Sequence, residues 1–193
     1  MTGQKIEAPS AENLAASVNA ASTGSGLPPV HLWNPPFCGH LDIRIARDGT
    51  WFYLGTPIGR PALVKLFSSI LKLEGGAYFL VTPVEKVGIT VDDAPFVAVD
   101  FDVINGDLHF TTQVGDQMIA GPKNRIRVER NPETGEPSPY VLVRNNLEAL
   151  IDRKSFYRLV DIGEHDHHEG QSWFGVRSKS TFFPIIPSAD LEV

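Results

Sequence analysis

The chain has 193 residues, a formal net charge of −6 at pH 7 and a sequence pI near 5.5. This length suits one large domain or two small domains that share a core. The acidic balance argues against bulk affinity for duplex DNA, because such affinity depends on Lys and Arg side chains that neutralise phosphates. It leaves open a small anionic ligand that a few local cations would hold.

The composition also bears on where the protein works. A single cysteine, Cys38, excludes an intrachain disulfide and favours a reducing cytosol. The first residues lack the basic region and apolar run of a signal peptide. No segment approaches the ~18 consecutive apolar residues of a membrane-spanning helix. We therefore expect a cytoplasmic protein that does not bind a membrane.

Residues 1–29 are polar and rich in Ala, Ser, Asn and Gly, and we interpret them as a flexible tail. Within this tail, residues 10–21 are compatible with a weak helix. Residues 22–26, with the sequence Ser-Thr-Gly-Ser-Gly, are typical of a flexible linker.

The first structured segment predicts a β-hairpin. Leu41, Ile43 and Ile45 alternate with Asp42, Arg44 and Ala46, which is the period of a half-buried strand. The Asp48-Gly49 pair is typical of a hairpin turn, and residues 51–54 form the returning strand.

A helix and a strand follow this hairpin. Pro61 suits the first turn of a helix, where its missing N–H is not needed. An apolar face at helical spacing follows, formed by Leu63, Leu66, Phe67, Ile70 and Leu71. We expect Gly75-Gly76 to end the helix, and residues 78–81 to form a strand that Pro83 ends.

Residues 84–120 predict four strands. Val87, Ile89 and Val91 alternate with polar or small residues, and residues 96–103 form a strongly apolar run. Asn105-Gly106 is the clearest hairpin signal in the chain.

The remaining chain predicts, in order, a strand at 125–130, a proline-rich turn at 131–139, a strand at 140–143, a helix, a strand at 155–162, a polar loop at 163–171 and strands at 173–176 and 181–186. We expect Asn145 or Asn146 to cap the helix. Leu147, Leu150 and Ile151 would form its buried face.

These elements predict an α+β fold, mostly antiparallel β with two short core helices. A β-β-α-β unit occurs twice, from Ile43 to Val81 and from Ile126 to Val160. The unit is common, so the similarity also has the simpler explanation of chance. We predict an N-terminal domain at 30–83 and a C-terminal domain at 84–193.

A duplicated unit creates a cleft between its copies, and basic and aromatic residues accompany both copies. An arginine beside an aromatic face can hold a phosphate and stack a base. The candidate ligand-binding residues are Trp51, Arg60, Glu85, Lys86, Arg125, Arg177 and Lys179. In this interpretation the Arg and Lys side chains bind phosphate, Trp51 stacks on a ring and Glu85 accepts a hydrogen bond. The alternative is that the arginines lie on the solvated side of strands and the tryptophans in the core.

The histidine-rich run at 165–169 offers a weaker candidate site. Imidazole and carboxylate groups bind transition metals, so His165, His167 and His168 are candidate metal ligands. Such a site needs ligands that converge from a rigid scaffold. The run lies between Gly163 and Gly170, which is typical of an exposed turn, so we expect no metal site.

Catalytic patterns are absent from the sequence. Cys38 with His31, His40 or His109 has no local signature of a nucleophile, and the carboxylates show no acid–base pattern. The chain lacks a phosphate-binding glycine loop, a dinucleotide fingerprint and a serine nucleophile elbow. These absences favour a non-catalytic protein over an enzyme without deciding between them, and we expect no bound cofactor.

Four blocks carry a resemblance to a known family. They are residues 33–35 (W-N-P), 48–60 (D-G-T-W-F-Y, then G-T-P-I-G-R), 78–86 (Y-F-L-V-T-P-V-E-K) and 91–96 (V-D-D-A-P-F). Over roughly residues 33–186 the chain resembles domain-of-unknown-function family 1285, a family of uncharacterised bacterial proteins. The resemblance implies a duplicated core, with a small N-terminal domain and a larger C-terminal domain superficially like a pleckstrin-homology barrel. It also implies a ligand site where the domains meet, for a nucleotide-like or nucleic-acid-derived molecule, and a role in signalling.

Three functional hypotheses follow. The first is a non-catalytic regulatory module that binds a nucleotide-like ligand between its halves. The second is an interaction protein without a small ligand, whose edge strands pair with a partner or with a second copy as a homodimer. The third, and weakest, is a metal-dependent hydrolase that uses the histidines of 165–168.

Overall fold

The computed structural model describes residues 9–21 and 26–191. These residues divide into two compact units. The first contains the described residues up to 46 and residues 50–92, and the second contains residues 47–49 and 93–191. Among the described residues, no helix combines the length and the apolarity that a membrane crossing requires.

The first unit contains a mixed six-stranded sheet, two α-helices and a short 3-10 helix at Val30–Leu32. Its elements are α1 (Ala11–Ala21), β1 (Phe37–Ile45), β2 (Trp51–Tyr53), β3 (Thr56–Pro57), α2 (Pro61–Ser69), β4 (Leu71–Glu74), β5 (Ala77–Val81) and β6 (Lys86–Val91). The strand order is β3-β2-β1-β6-β5-β4. The central pair, β1 and β6, is parallel, whereas the other neighbours are antiparallel.

The first unit extends beyond the predicted boundary at Pro83. Strand β6 pairs with β1 on one side and with β5 on the other, so it completes this sheet. The unit therefore ends at Asp92, and the Thr82–Glu85 connection is a turn inside it.

Helix α2 begins at Pro61 as predicted, but it ends at Ser69 and not at Gly75. Leu71 pairs with Leu80 across an antiparallel hairpin. Gly75 and Gly76, both with positive φ, form the turn of that hairpin. The glycine pair that ends a helix in the sequence interpretation therefore joins two strands.

Helix α1 lies within the segment that we interpreted as a tail. Its Leu14 and Val18 side chains are fully buried, and the helix packs on α2. Residues 11–21 are thus part of the first unit's core. Of the predicted linker, residues 22–25 lie outside the described residues.

The second unit contains two sheets, one α-helix and a short 3-10 helix at Ser188–Asp190. Its elements are β7 (Phe96–Ile104), β8 (Asp107–Thr112), β9 (Gln117–Ile119), β10 (Ile126–Arg130), β11 (Pro137–Arg144), β12 (Leu147–Ile151), α3 (Arg153–Asp161), β13 (Glu164–His168), β14 (Gln171–Ser178) and β15 (Thr181–Pro187). The six-stranded sheet has the order β10-β11-β12-β7-β8-β9, and β13-β14-β15 form a second, antiparallel sheet. The parallel pair of the larger sheet is again central, β12 with β7.

The prediction for residues 145–162 was wrong in both elements. Residues 147–151 form β12 and not a helix, and residues 153–161 form α3 and not a strand. The apolar residues fit both periods: Leu147, Ala149 and Ile151 are buried with the alternation of a strand. Pairing with β11 and β7 on both sides selects the strand. Asn145, with φ near +51°, forms the hairpin turn instead of a helix cap.

The structure confirms the α+β class and the repeat, and it lengthens the repeated unit. Strands β1–β3, helix α2 and strands β4–β6 have the same order as β10–β12, α3 and β13–β15. Both six-stranded sheets also consist of two antiparallel three-stranded halves joined by a parallel pair. The two copies differ in how their last three strands pair. In the first copy β6 pairs with β1 in the same sheet, whereas in the second copy β13–β15 form a separate sheet.

Candidate functional site

A cleft with a volume of about 520 Å³ lies in the second unit. Small-molecule sites typically have volumes of about 300–1,000 Å³, so the cleft is large enough for a ligand of that class. One wall consists of Asn131, Glu136, Pro137, Ser138 and Pro139, the other of Asp152, Arg153, Phe156 and Tyr157, and Arg47, Leu150 and Ile151 complete the lining.

The first wall follows the proline-rich turn between β10 and β11. The Asn131 side-chain oxygen accepts hydrogen bonds from the backbone N–H groups of Glu133 and Thr134, at 2.8 and 3.1 Å. The Asn131 N–H donates to the Glu136 carbonyl group across the turn. These local bonds fix the turn and therefore the position of Glu136 at the edge of the cleft.

The second wall is the first part of α3. Asp152 caps this helix, because its carboxylate accepts a hydrogen bond from the Ser155 backbone N–H at 2.8 Å. Ser155 and Leu159 form the buried face of the helix. Arg153 lies three and four residues before Phe156 and Tyr157, so these three side chains share one helical face that lines the cleft.

Two arginines contribute the positive charge of the cleft. Arg153 Nη2 donates to Glu136 Oε1 at 2.9 Å and so connects the two walls. Arg47 Nη2 donates to Ser138 Oγ at 2.8 Å, and its Nε lies 3.3 Å from Asp93 Oδ2. A guanidinium group has five N–H donors, so both arginines retain donors for a further acceptor.

Asp93, the ion-pair partner of Arg47, is itself held in place by a hydrogen bond. Its Oδ1 accepts a hydrogen bond from the Tyr140 hydroxyl group at 2.7 Å. Burial, together with this bond to Asp93, raises the pKa of Tyr140 to about 12. The Arg127 guanidinium lies 4.4 Å from the centre of the Tyr140 ring. Contacts through Asp93, Tyr140 and Arg127 therefore hold Arg47 in place within the second unit.

The acidic side chains of the lining have partners within the cleft or the adjoining helix. The lining includes no histidine and no cysteine. Its two carboxylates are engaged, Asp152 in the helix cap and Glu136 with Arg153. No side chain of the cleft is thus arranged as a nucleophile with an adjacent base.

The predicted site residues of the first unit have different environments. Trp51 is 2% exposed and stacks on Phe67, so it belongs to the core and its indole cannot stack on a ligand. Arg60 is exposed at the N-cap position of α2. Glu85 is half-buried in the turn before β6, where burial raises the pKa of its carboxyl group. Lys86 donates to Glu74 Oε2 at 2.8 Å and lies 4.9 Å from the centre of the Phe79 ring.

The predicted site residues of the second unit lie outside its cleft. Arg125 is exposed, and its Nε is 3.4 Å from the Pro122 carbonyl oxygen. Arg177 forms ion pairs with Glu164 and Asp166. The Lys179 side chain packs against Gly121. That the seven predicted residues form one site stays a prediction.

Six cations, five on strands and Arg158 on α3, each contact both a carboxylate and an aromatic ring, which the sequence did not reveal. Each pairs with a carboxylate and lies over an aromatic ring: Arg44 with Asp92 and Phe52, Lys86 with Glu74 and Phe79, Arg127 with Glu148 and Tyr140, Arg144 with Asp116 and Phe96, Arg158 with Asp100 and Phe101, and Arg177 with Glu164 and Phe182. Such contacts stabilise the sheet faces. An aromatic residue near an arginine is therefore weak evidence for a phosphate site in this fold.

The three candidate metal ligands lie on β13, where a polar loop was predicted. His165 Nδ1 is 2.8 Å from Ser188 Oγ, and its ring packs edge-on against Phe174. His168 lies near Phe182 on the other face of the strand. Within residues 9–21 and 26–191, no group of three His, Cys, Asp or Glu residues could hold a metal ion.

The sequence interpretation missed Arg47, Arg153 and Tyr157. A signal for two of them was present, because Asp152 directly before Arg153 is a typical helix cap. With α3 assigned correctly, Arg153 and Tyr157 would have been placed on one helical face. Arg47 has no such signal, since only the folded second unit brings it to Ser138.

Comparisons with known proteins identify the class of this two-unit α+β protein. Family models for the N-terminal and the C-terminal domain of DUF1285, described as a domain and a protein of unknown function, match residues 28–94 and 95–185. The chain belongs to the DUF1285 family, as the resemblance implied.

Two solved structures support this assignment. A DUF1285 family protein from Silicibacter pomeroyi DSS-3 is 60% identical, with a TM-score of 0.83, and the match covers 93% of this chain and 98% of that chain. A DUF1285 family protein from Shewanella baltica OS155 is 30% identical, with a TM-score of 0.51, covering 63% of this chain and 91% of that one. The comparison with curated proteins found no match.

Proposed function

We propose that this chain is a non-catalytic, ligand-binding regulatory protein. Its cleft in the second unit would bind a small molecule that carries both a ring and an anionic group, as a nucleoside monophosphate does. The observation that carries the proposal is the arrangement of Arg47, Arg153 and Tyr157 around one cleft of about 520 Å³.

The charges of the lining residues limit the negative charge that a bound ligand can carry. Arg47 and Arg153 are balanced by Glu136 and Asp152, so the formal charge of the lining residues sums to zero. An anionic group must compete with Glu136 for Arg153. A ligand with one or two negative charges can do so, whereas a triphosphate would bring excess charge close to two carboxylates. We therefore expect monophosphates to bind more tightly than triphosphates.

The ring preference follows from the α3 wall. The Tyr157 side chain is 59% exposed, and Phe156 lies beside it in the lining. Aromatic faces stack on nucleobases, and the contribution is about 1–3 kcal/mol per base. Pro137 and Pro139 supply rigid apolar contacts on the opposite wall. A ligand that presents only a phosphate would leave these apolar surfaces unused.

A regulatory role is consistent with a cleft that lacks a catalytic arrangement. A protein that binds a metabolite without converting it reports the concentration of that metabolite, which is what a signalling protein requires. The proposal therefore predicts binding without turnover: the ligand is recovered unchanged after long incubation with the protein.

Isothermal titration calorimetry with nucleoside monophosphates, the matching triphosphates and inorganic phosphate tests the proposal. Arg153→Ala removes a donor from the lining, and Lys154→Ala is the matched control, because Lys154 is the neighbouring cation on α3 but does not line the cleft. Loss of a charged hydrogen bond costs about 1.5–3 kcal/mol, so Arg153→Ala should weaken binding at least tenfold while Lys154→Ala binds normally. The proposal is wrong if no monophosphate binds, or if both variants bind like the unaltered protein.

A further inference from the structure

A cluster of aromatic rings lies on the outer face of the sheet in the first unit. Phe37 and His40 on β1 and Phe79 on β5 flank β6, where Phe37 is paired with Lys86, and Gly88 is paired with both His40 and Phe79. The alternate residues of β5 and β6, Leu80 and Val87, point to the opposite face and are fully buried. We call the cluster of Phe37, His40, Phe79 and Lys86 the aromatic surface.

The rings of the aromatic surface are ordered by one another. The Phe37 ring packs edge-on against His40, with centroids 5.4 Å apart, and against Phe79, with centroids 6.1 Å apart. Yet 52% of Phe37 remains exposed to solvent. The Phe37 ring is therefore ordered before any ligand binds, although half of its surface is in contact with water. Binding to such a ring costs less conformational entropy than binding to a flexible surface side chain.

Gly88 makes room for this arrangement. A Cβ atom at position 88 would lie 2.5 Å from His40 Nδ1, so the imidazole occupies the space that any other residue would fill. The histidine therefore lies close to the sheet surface, beside Phe37. The imidazole thus covers Gly88 and continues the ring surface across three neighbouring strands.

Two lysines lie beside the rings of the aromatic surface. Lys86 Nζ lies 4.9 Å from the centre of the Phe79 ring and 2.8 Å from Glu74 Oε2. Lys72 Nζ lies 2.6 Å from the other oxygen of the same carboxylate. Two ammonium groups thus share one carboxylate. Each ammonium group has three N–H donors, so both lysines retain donors for a phosphate oxygen.

We propose that the aromatic surface binds single-stranded nucleic acid, with a base stacked on Phe37 and the adjoining phosphate held by Lys86 and Lys72. Aromatic rings on neighbouring strands of an open sheet, with cations beside them, provide the two contacts that an unpaired strand offers, namely base faces and phosphates. A proline-rich peptide would instead need a groove between aromatic rings. The net charge of −6 disfavours duplex DNA, whose bases are hidden and whose affinity is largely electrostatic.

This inference does not rest on the proposed function. The aromatic surface belongs to the first unit, whereas the cleft with Arg153 belongs to the second. Changes to one site should therefore leave the other intact, and each proposal can fail alone.

Fluorescence anisotropy with labelled eight-nucleotide DNA and RNA strands tests the proposal. Phe37→Leu keeps an apolar side chain but removes the ring, and Phe37→Trp keeps a stacking surface. Stacking on one base corresponds to about a 5- to 150-fold change in affinity, so Phe37→Leu should weaken binding by a factor in that range, whereas Phe37→Trp should not. Neutralising one phosphate predicts that log K falls with log salt concentration with a slope of about −0.7.

The controls separate stacking from other causes. Val103→Ala changes an apolar side chain of the same 52% exposure in the second unit and should bind the strand normally. Arg153→Ala should lose the nucleoside monophosphate but retain the strand. The proposal is overturned if Phe37→Leu binds like the unaltered protein, if an unlabelled hairpin duplex competes as well as the single strand, or if a proline-rich peptide displaces the strand.

Discussion

Arg153 donates a hydrogen bond to Glu136 at 2.9 Å, and this contact joins the start of α3 to the turn before β11. The two side chains are 74% and 63% exposed. Water screens such a pair strongly, so its main effect is to hold the Arg153 guanidinium at the cleft and not to stabilise the fold.

Arg153→Ala should therefore change the free energy of unfolding by less than about 1 kcal/mol. Urea denaturation monitored by tryptophan fluorescence measures this, with Lys154→Ala as the control. A clearly larger loss would mean that Arg153 has a structural role. The weaker ligand binding predicted for this variant would then follow from a destabilised cleft, without a direct contact between Arg153 and the ligand.

The Asp152 cap should matter for both stability and binding, because α3 carries one wall of the cleft. Asp152→Ala removes the acceptor for the Ser155 N–H and should cost about 1 kcal/mol of folding free energy. Asp152→Asn retains an acceptor and should cost only a few tenths of that amount. Equal losses in the two variants would show that the carboxylate charge, and not the cap, determines the effect.

Gly88→Ala tests the packing of His40 on the first sheet. The new Cβ would lie 2.5 Å from His40 Nδ1, and overpacking of this kind costs about 1–3 kcal/mol. Gly59→Ala is the control, because nothing lies within 4 Å of a Cβ at position 59. Adding His40→Ala to Gly88→Ala should restore most of the stability. A Gly88→Ala variant as stable as Gly59→Ala would contradict the observed position of the imidazole.

Deprotonation of Tyr140 should lower the free energy of unfolding of the second unit at alkaline pH. Its pKa rises from 10.0 to about 12 in the folded state, so the folded protein holds this proton more tightly than the unfolded chain. The resulting stabilisation is complete below pH 10 and is lost as the pH rises through about 12. Tyr140→Phe should lose about 1 kcal/mol at neutral pH and should show a shallower decline above pH 10. Denaturation midpoints measured from pH 8 to 11 that fall in parallel for both proteins would contradict this.

The fold could be predicted where one periodicity dominated. Leu41, Ile43 and Ile45 alternate in β1 as expected, and Pro61 begins α2. The prediction failed at 147–151, where Leu147, Leu150 and Ile151 have helical spacing but Leu147, Ala149 and Ile151 have strand spacing. Pairing with β11 and β7, which are distant in sequence, decides between the two.

The candidate sites were harder to predict than the fold, for a different physical reason. Arginine and tryptophan content indicated ligand binding, but Trp51 is in the core and Arg177 is engaged by Glu164 and Phe182. Whether a cation is available depends on partners from other strands. Lys86 is the one predicted site residue that also belongs to the aromatic surface.

The most direct test of the proposed function is a titration of isotope-labelled protein with a nucleoside monophosphate, followed by NMR chemical-shift mapping. Binding in the cleft predicts the largest shift changes at Arg153, Phe156 and Tyr157, with smaller changes on the opposite wall at Ser138. The changes should disappear in Arg153→Ala and persist in Lys154→Ala. An absence of saturable shifts, or saturable shifts confined to residues outside the cleft, would contradict the account.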